Sequence, residues 1–460
     1  MRIIYLIIFC SVIFSQHGVD PSWIEAVPLP KNNIVGSAKG VVGNNMVITS
    51  EEKIIIFYQE EYPFPNGQMK TYITTSVNNG NDWTTPDLFS PFELVSGGCC
   101  TNVSLDSQDN IHIIWKGASL YGIYYSKMDN NLNLIIDTIR VSENINYNVG
   151  SATISVDGND RIHSMWHDGD ATSEIEIAEV MYSRSIDGGF NWENSQMISQ
   201  NDNISSSFAR VDFSGAFSDT LAIAWRDQIN SNDVDVRMAL SIDGGISWNE
   251  KPISVGPGKQ WDPGIIIDKD NYFHINYHEV PSNNPYVANI MAGWSNDGGD
   301  HWEPNGFIQI SPENIRSNLT AFAYDLFHDY IWVFWKDHRD GHFESDVMGS
   351  FSTDKGESWS QPEFVSDLGD QQLGFKSTTC SPNGIIAVNF DEWNSETGSG
   401  TIYYTQRTNI DILIGDVNSD GFVNVIDIVS IVNLILSNEF NEIGDLNDDS
   451  NLDVIDIVYW

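Results

Sequence analysis

From about residue 46 to about residue 406 the chain alternates short apolar runs with polar turns. One run recurs along the whole stretch, as "KIIIFYQ", "IHIIWKG", "IHSMWHD", "LAIAWRD", "FHINYHE", "IWVFWKD" and "IIAVNFDE". Each is a few apolar residues ending on or near an aromatic and followed by polar ones, too short for a helix and bounded by turn residues, so each predicts a buried strand. A second run with two-residue alternation follows, as in "VMYSRS", "VRMALS" and "TIYYTQ". Alternation of period two places a strand with one face buried. Strand pairs repeating at a near-constant interval predict an all-β repeat architecture.

The second strand runs into an octet. "SIDGGFNW" opens at Ser185, "SIDGGISW" at Ser241, "SNDGGDHW" at Ser295, "STDKGESW" at Ser352, and a weaker copy, "SVNNGNDW", at Ser76. Asp187, Asp243, Asp297 and Asp354 can accept backbone N–H bonds within a turn, and Gly189, Gly245, Gly299 and Gly356 can take positive φ. The Trp is placed to plug the hairpin against a neighbour. Octet serines at 76, 185, 241, 295 and 352 are separated by 109, 56, 54 and 57 residues, so the first gap spans two periods. Its missing member lies at "IYYSKMDNN", where Ser126 and Asp129 survive without the glycine and Trp.

The octet resembles the Asp-box (BNR repeat) of sialidase-like β-propellers, in which the box is a structural fastener. The resemblance implies an all-β propeller, and the recurring strands predict seven blades over about residues 20–409, with six as the alternative. The N-terminal "SWIEAVPLP" reads like the stretch after an octet, compare "SWNEKPISV", and is expected to complete the last sheet and close the ring.

If the octets cap one end of the ring, the polar residues after the "IHIIW"-type strands emerge at the other. They include Gln59, Glu60, Lys116, His167, Asp168, Asp170, Arg226, Asp227, His278, Glu279, the run Lys336, Asp337, His338, Arg339 and Asp340, and Asp391 with Glu392. Loops entering the inner strands should add Arg210, Trp261, Asp262, Arg316 and Lys376. The chain has 22 Lys+Arg against 64 Asp+Glu, a formal charge of −42, which disfavours nucleic acid and anionic membrane as partners. Cations gathered at one rim of such a chain point to an anionic or polyhydroxyl ligand. The candidate rim residues are therefore Arg210, Arg226, His278, Glu279, Arg316, Asp337, His338 and Arg339. His112, His163 and His274 sit inside strands and read as structural.

In sialidases the resemblance would bring three arginines, one in an Arg-Ile-Pro motif, a Tyr/Glu nucleophile pair and an Asp acid/base. No Arg-Ile-Pro occurs here, and no arginine lies between Arg2 and Arg140. The expectation is thus a propeller that acts on or binds extracellular glycans in polysaccharide breakdown, with a glycoside hydrolase other than a sialidase left open and a non-catalytic binding or adhesion protein as the alternative.

After residue 409 the pattern changes. In "GDVNSDGFVNVID" Asp416, Asn418, Asp420, Asn424 and Asp427 take positions 1, 3, 5, 9 and 12 of a calcium loop, with Gly421 at the sharp turn and the Phe422 carbonyl at position 7. "GDLNDDSNLDVID" repeats it with Asp445, Asn447, Asp449, Asn451, Asp453 and Asp456, Ser450 standing where the glycine would be. Each loop runs into an apolar helix. The pair resembles a type I dockerin, whose second repeat is here cut short at "IVYW", and the resemblance implies Ca2+ and a cohesin-like partner. Boundaries follow as 16–409 for the propeller, 410–414 for a linker and 415–460 for the dockerin-like module.

"MRIIYLIIFCSVIFSQ" has a basic Arg2, an apolar run and a small Ser15, the pattern of a signal peptide over 1–15 and hence of secretion. Cys99, Cys100 and Cys380 remain, too few for a disulfide framework.

Overall fold

A computed structural model describes residues 19–32, 37–39, 44–62, 68–91, 97–117, 122–143, 149–169, 177–202, 204–210, 219–339, 345–366, 368, 372–394, 399–407, 415, 417, 425–437, 444–447 and 451–459. The expected signal peptide and most of the first calcium loop lie outside them. The chain divides into two compact units, one of Met1–Asp20 with Glu25–Thr405 and one of Pro21–Ile24 with Gln406–Trp460.

The first unit is a β-propeller. Each repeat is an antiparallel meander whose second strand is buried on both faces, which is why those strands read as unbroken apolar runs. Trp115, Trp166, Trp225 and Trp335, all on second strands, are among the largest fully buried side chains. Innermost strands follow one another around the ring: Met46–Ile48 neighbours Gly97–Leu105, which neighbours Gly150–Val156, then Ser205–Arg210, Gly258–Ile267, Ser317–Asp325 and Gln372–Cys380, which returns to Met46–Ile48.

Seven or six separate blade sheets were expected, and the hydrogen bonding corrects this to five separate sheets of four or five strands plus one of eight. The eight-stranded sheet holds two antiparallel runs, Ser205–Arg210 to Asn249–Ser254 and Gly258–Ile267 to Glu303–Gln309, joined by one parallel bridge, Val234 to Lys259. The chain passes from one run to the next through only three residues, 255–257, so the new strand starts against the old one before diverging. The N-terminal strand Val27–Pro28 pairs with Ser399–Gln406 and completes the last sheet from the other end of the chain. Across the same closure Asn389 Nδ2 donates to Asn45 Oδ1 at 2.9 Å.

The octets fold into one recurring turn. The serine Oγ accepts the N–H of the glycine four residues on, at 2.9 Å from Gly189, Gly245 and Gly299, and donates to the aspartate Oδ1, at 2.9 Å for Asp187 and 2.8 Å for Asp243, Asp297 and Asp354. The aspartate Oδ1 then accepts the N–H groups three and four residues on, as Asp243 does from Ile246 at 3.0 Å and Ser247 at 2.9 Å. Gly245 has φ +86°, and a Cβ there would lie 2.0 Å from Tyr182 Oη of the preceding blade. The same fit recurs at Gly189 against Tyr125 and, where the ring closes, at Gly80 against Tyr404. The structural reading of the strand histidines holds: His163 bonds Asp157 through Nε2 at 3.1 Å and Tyr182 through Nδ1 at 2.7 Å, and His112 is tied likewise to Asp106 and Tyr125. Burial holds both imidazoles below their usual pKa, against the pull of the partner aspartates.

In the second unit two helices, Val425–Ser437 and Val454–Tyr459, pack on each other. A Cβ at Gly444 would lie 3.0 Å from the Leu452 side chain, 3.3 Å from Val417 and 3.5 Å from Ile431, the last fully buried. Among the described residues no helix is long and apolar enough to cross a membrane.

Candidate functional site at the end opposite the octets

Strand register fixes the two ends. The octet serine pairs with a residue at the start of the second strand, as Ser185 with Ile162, Ser241 with Leu221, Ser295 with Phe273 and Ser352 with Ile331. Five residues further along, at about 3.3 Å each, the strand has reached the other end of the blade. The residues there are Gln59, Lys116, His167, Arg226, His278, Lys336 and Asp391, one from each second strand and each directly after its aromatic.

Strand alternation splits the polar pairs. The residue after each of these turns to the opposite face, and three of the acids there, Asp227, Asp337 and Glu60, are held by the blades. Asp227 is buried, accepting from Ser206 Oγ at 2.7 Å and Trp225 Nε1 at 2.9 Å and pairing with Arg237 at 3.2 Å. Asp337 is buried too and accepts from Arg339 Nε at 2.8 Å. Glu60 accepts the Asn32 N–H at 2.6 Å. Asp337, a candidate from sequence, is thereby a scaffold residue.

The first members of the pairs approach one another instead. Burial pushes His167 down to about 4, and the cations Lys116 and Arg226 on the strands to either side push in the same direction. Arg226 lies 4.1 Å from the ring centroid of Trp261, with Lys259 Nζ at 5.9 Å from the same ring. Trp261 is the register partner of His278, whose Nδ1 is 3.5 Å from Asp262 Oδ2. Burial pushes Lys336 down to about 8, Asp391 opposing and Arg316 adding to the shift.

A bulge accompanies this position. The pairing of first and second strands slips between Cys99 and Asn102, Gly150 and Thr153, Ser207 and Arg210, Trp261 and Gly264, Asn318 and Ala321, and Leu373 and Lys376. Bulges re-aim side chains and favour functional rims. Two bulged residues, Asp262 at φ 49° and Leu319 at φ 54°, hold the left-handed region without being glycine. No turn signal in the sequence marked these slips.

Of the sequence candidates, Arg226, His278 and Arg316 stand at this end within the network just described. Arg339 departs from expectation: its guanidinium lies 4.6 Å from the ring of Phe364, on the outermost strand Glu363–Ser366, because Asp337 anchors it there. Glu279 follows His278 on the opposite face and His338 follows the strand end, its N–H donating to the Arg316 carbonyl at 3.0 Å. The side chains of Arg210 and Lys376 lie outside the described residues. Lys116, His167 and Lys336, named in the sequence among many loop residues, are singled out only by the register they share.

For the calcium loops, Asp416, Asn418, Asp420, Phe422, Asn424 and Asp449 lie outside the described residues. Asp427 and Asp456, in the first turns of the two helices, are fully buried, and Asp445 is buried. Asp456 Oδ1 accepts the Leu446 N–H at 3.0 Å and its Oδ2 the Asp453 N–H at 2.8 Å, which folds the helix start back onto the loop start. Asn447, Asn451 and Asp453 stand around the same turn. Residues 408–460 contain no Lys, Arg or His, and the donors the tail offers are all oxygens of the kind that calcium takes. Among the described residues no three His, Cys, Asp or Glu side chains are grouped closely enough to hold a metal. Cys380 is a free thiol, pushed up by burial.

No family model matches the chain, and no curated protein does. Solved structures do. Polysaccharide lyase Uly1 aligns with TM-score 0.55 at 8% identity, over 83% of this chain and 93% of its own. A protein of unknown function from Dyadobacter fermentans aligns with TM-score 0.52 at 14% identity, over 84% and 99%. Hadza microbial sialidase Hz136 aligns with TM-score 0.44 at 12% identity, over 80% and 65%. At these identities the likeness is one of fold, a β-propeller.

Proposed function

We propose that the propeller binds and acts on extracellular glycans at the end opposite the octets, and that the calcium-loop tail docks the secreted chain onto a cohesin-type partner. The observation that carries the first half is the Arg226–Trp261 stack beside Lys116 and His167. An indole face accepts the apolar side of a sugar ring, and neighbouring cations hold its carboxylates and hydroxyls. The neighbour named a polysaccharide lyase supports glycans as the ligand class. Asp391 is the one carboxylate of the ring position, whereas glycoside hydrolysis takes a pair, and this favours binding without hydrolysis as the second reading.

The docking half rests on the buried Asp427 and Asp456, in a stretch, 408–460, that holds no Lys, Arg or His, and on an exposed apolar stripe, Val425, Val429, Val432 and Leu436, along one helix. Calcium, when bound, would neutralise the carboxylates of Asp427, Asp445 and Asp456 and let both loops close. A glycan array probed with the chain and with its Trp261→Ala variant tests the main reading. Wild-type chain should select a subset of glycans and the variant should lose at least tenfold in affinity, about 1.4 kcal/mol; equal binding by both would reject this site.

A further inference from the structure

We propose that Arg316 and Lys336 form a subsite for the oxyanion of an acidic sugar, a carboxylate or a sulfate ester. The inference rests on the glycan reading above and names the chemistry of its ligand.

Two cations without a counter-ion carry the argument. Several cations elsewhere in the propeller take a carboxylate partner, Lys127 from Asp106, Arg184 from Glu193, Arg237 from Glu250 and Arg339 from Asp337. Arg316 and Lys336 have no ion pair among the described residues, although acids outnumber bases in the chain by 64 to 22. Lys336 is 7% exposed, and the buried Arg316 Nε has no hydrogen-bond partner. Asp391 attracts the Lys336 amine from the next blade, yet its carboxylate lies against Gly374 of its own innermost strand, where a Cβ would collide with it. Burial pushes the amine down to about 8, and Arg316 pushes in the same direction. Like charges held together in a partly desolvated place repel, and an oxyanion supplied from outside removes that repulsion.

The backbone fixes both groups. Arg316 bridges Ala288 of the preceding blade, its carbonyl accepts the His338 N–H at 3.0 Å, and the next residue, Ser317, donates its N–H to the Ala288 carbonyl at 2.8 Å. Lys336 is the register partner of Asn318, so the two share a face, and the buried Asn318 Oδ1 has no hydrogen-bond partner. These groups complement one ligand: the guanidinium edge and the amine donate to an oxyanion, and the amide oxygen accepts from a sugar hydroxyl. Thr320, on the strand of Asn318, donates through Oγ1 to the carbonyl of Asp262 at 2.9 Å, which joins this blade to the strand that presents Trp261.

Isothermal titration of the full chain at constant ionic strength should compare an oligogalacturonate, a sulfated galactan oligosaccharide and a neutral β-glucan oligosaccharide. At least one acidic glycan should bind tenfold or more tightly than the neutral one, and which of the two does so identifies the oxyanion. A chain of formal charge −42 repels polyanions, so that preference requires a local cationic site. Lys336→Met and Arg316→Gln should each lower the affinity for the acidic glycan at least tenfold and leave that for the neutral glucan as it was. Melting temperatures should stay level or rise, because each variant removes an uncompensated charge. The wild-type chain supplies a second arm that requires no variant to fold. Its affinity for the acidic glycan should fall from about pH 7 to about pH 9 as the Lys336 amine loses its proton, while Arg316 and Asp391, the charges that act on it, keep theirs. Wild-type affinity in both variants, or an affinity for the acidic glycan that stays flat over that pH range, would overturn the subsite. Preference for the neutral glucan, lost in Trp261→Ala, would overturn it while leaving the glycan reading intact. Absence of binding to every glycan would remove both.

Discussion

The Tyr182 ring meets Trp248 edge-on, 4.9 Å between centroids at 71°, across the boundary between one blade and the next. Tyr125 and Trp192 repeat the contact at 5.1 Å, and Trp83 and Tyr404 repeat it where the ring closes. The octet Trp is therefore a fastener between blades as well as a plug for its own hairpin. Trp248→Ala should cost about 3 kcal/mol, seen as a lower denaturant midpoint with glycan affinity unchanged in the folded fraction. Gly245→Ala should destabilise through the same contact, by about 1–2 kcal/mol from the left-handed backbone alone, and Tyr182→Phe should relieve part of its clash.

Between the third sheet and the eight-stranded one lie several acids close together. Burial pushes Glu179 up to about 7, with Ser199 opposing and Asp202, Asp227 and Glu250 adding to the rise; Asp227 is pushed up to about 6. A raised folded-state pKa means that the folded protein binds the proton more tightly than the unfolded chain. Stability from Glu179 is thus present below about pH 4 and lost as pH rises to about 7. Thermal melting should fall across that window, and Glu179→Gln should flatten the dependence and raise the melting temperature at pH 8. A Glu179→Gln chain with the wild-type profile would show the carboxylate to be solvated.

Arg339 belongs to the scaffold, held by Asp337 and seated on Phe364. Arg339→Ala should lower stability by about 1–2 kcal/mol, as the buried carboxylate loses a partner, and leave glycan binding as it was. Arg226→Ala should do the reverse. Isothermal titration with the array's best glycan distinguishes the two, and a loss of affinity in Arg339→Ala would place the ligand further out than Trp261.

If calcium organises the tail, chelation should abolish the circular dichroism of the helices Val425–Ser437 and Val454–Tyr459, because the buried carboxylates Asp427 and Asp456 open their first turns. The propeller transition should not move in calorimetry. Helices that persist in chelator would rule out calcium as their organiser.

The strands, the octet turns and the closing role of the N-terminal strand were legible in the sequence alone. Each rests on local chemistry: apolar runs of strand length, and a serine and an aspartate two apart before a glycine. "SIDGGISW" could be read as a turn because every bond that shapes it, from Ser241 to Gly245 and from Asp243 to Ser247, closes within eight residues. Tertiary structure alone decided the rest. Whether Arg226 or Asp227 is available to a ligand depends on which face of the strand meets the next blade, and only Trp261, 35 residues on, reveals it. The departure of Arg339 toward Phe364 and the bulge that turns Asp262 onto His278 are likewise set by partners from other strands. The fusion of two strand runs into one sheet of eight depends on a single bridge, Val234 to Lys259, which no periodicity encodes. Repetition made the scaffold legible, and the site lies in the departures from repetition, where side chains from different blades converge.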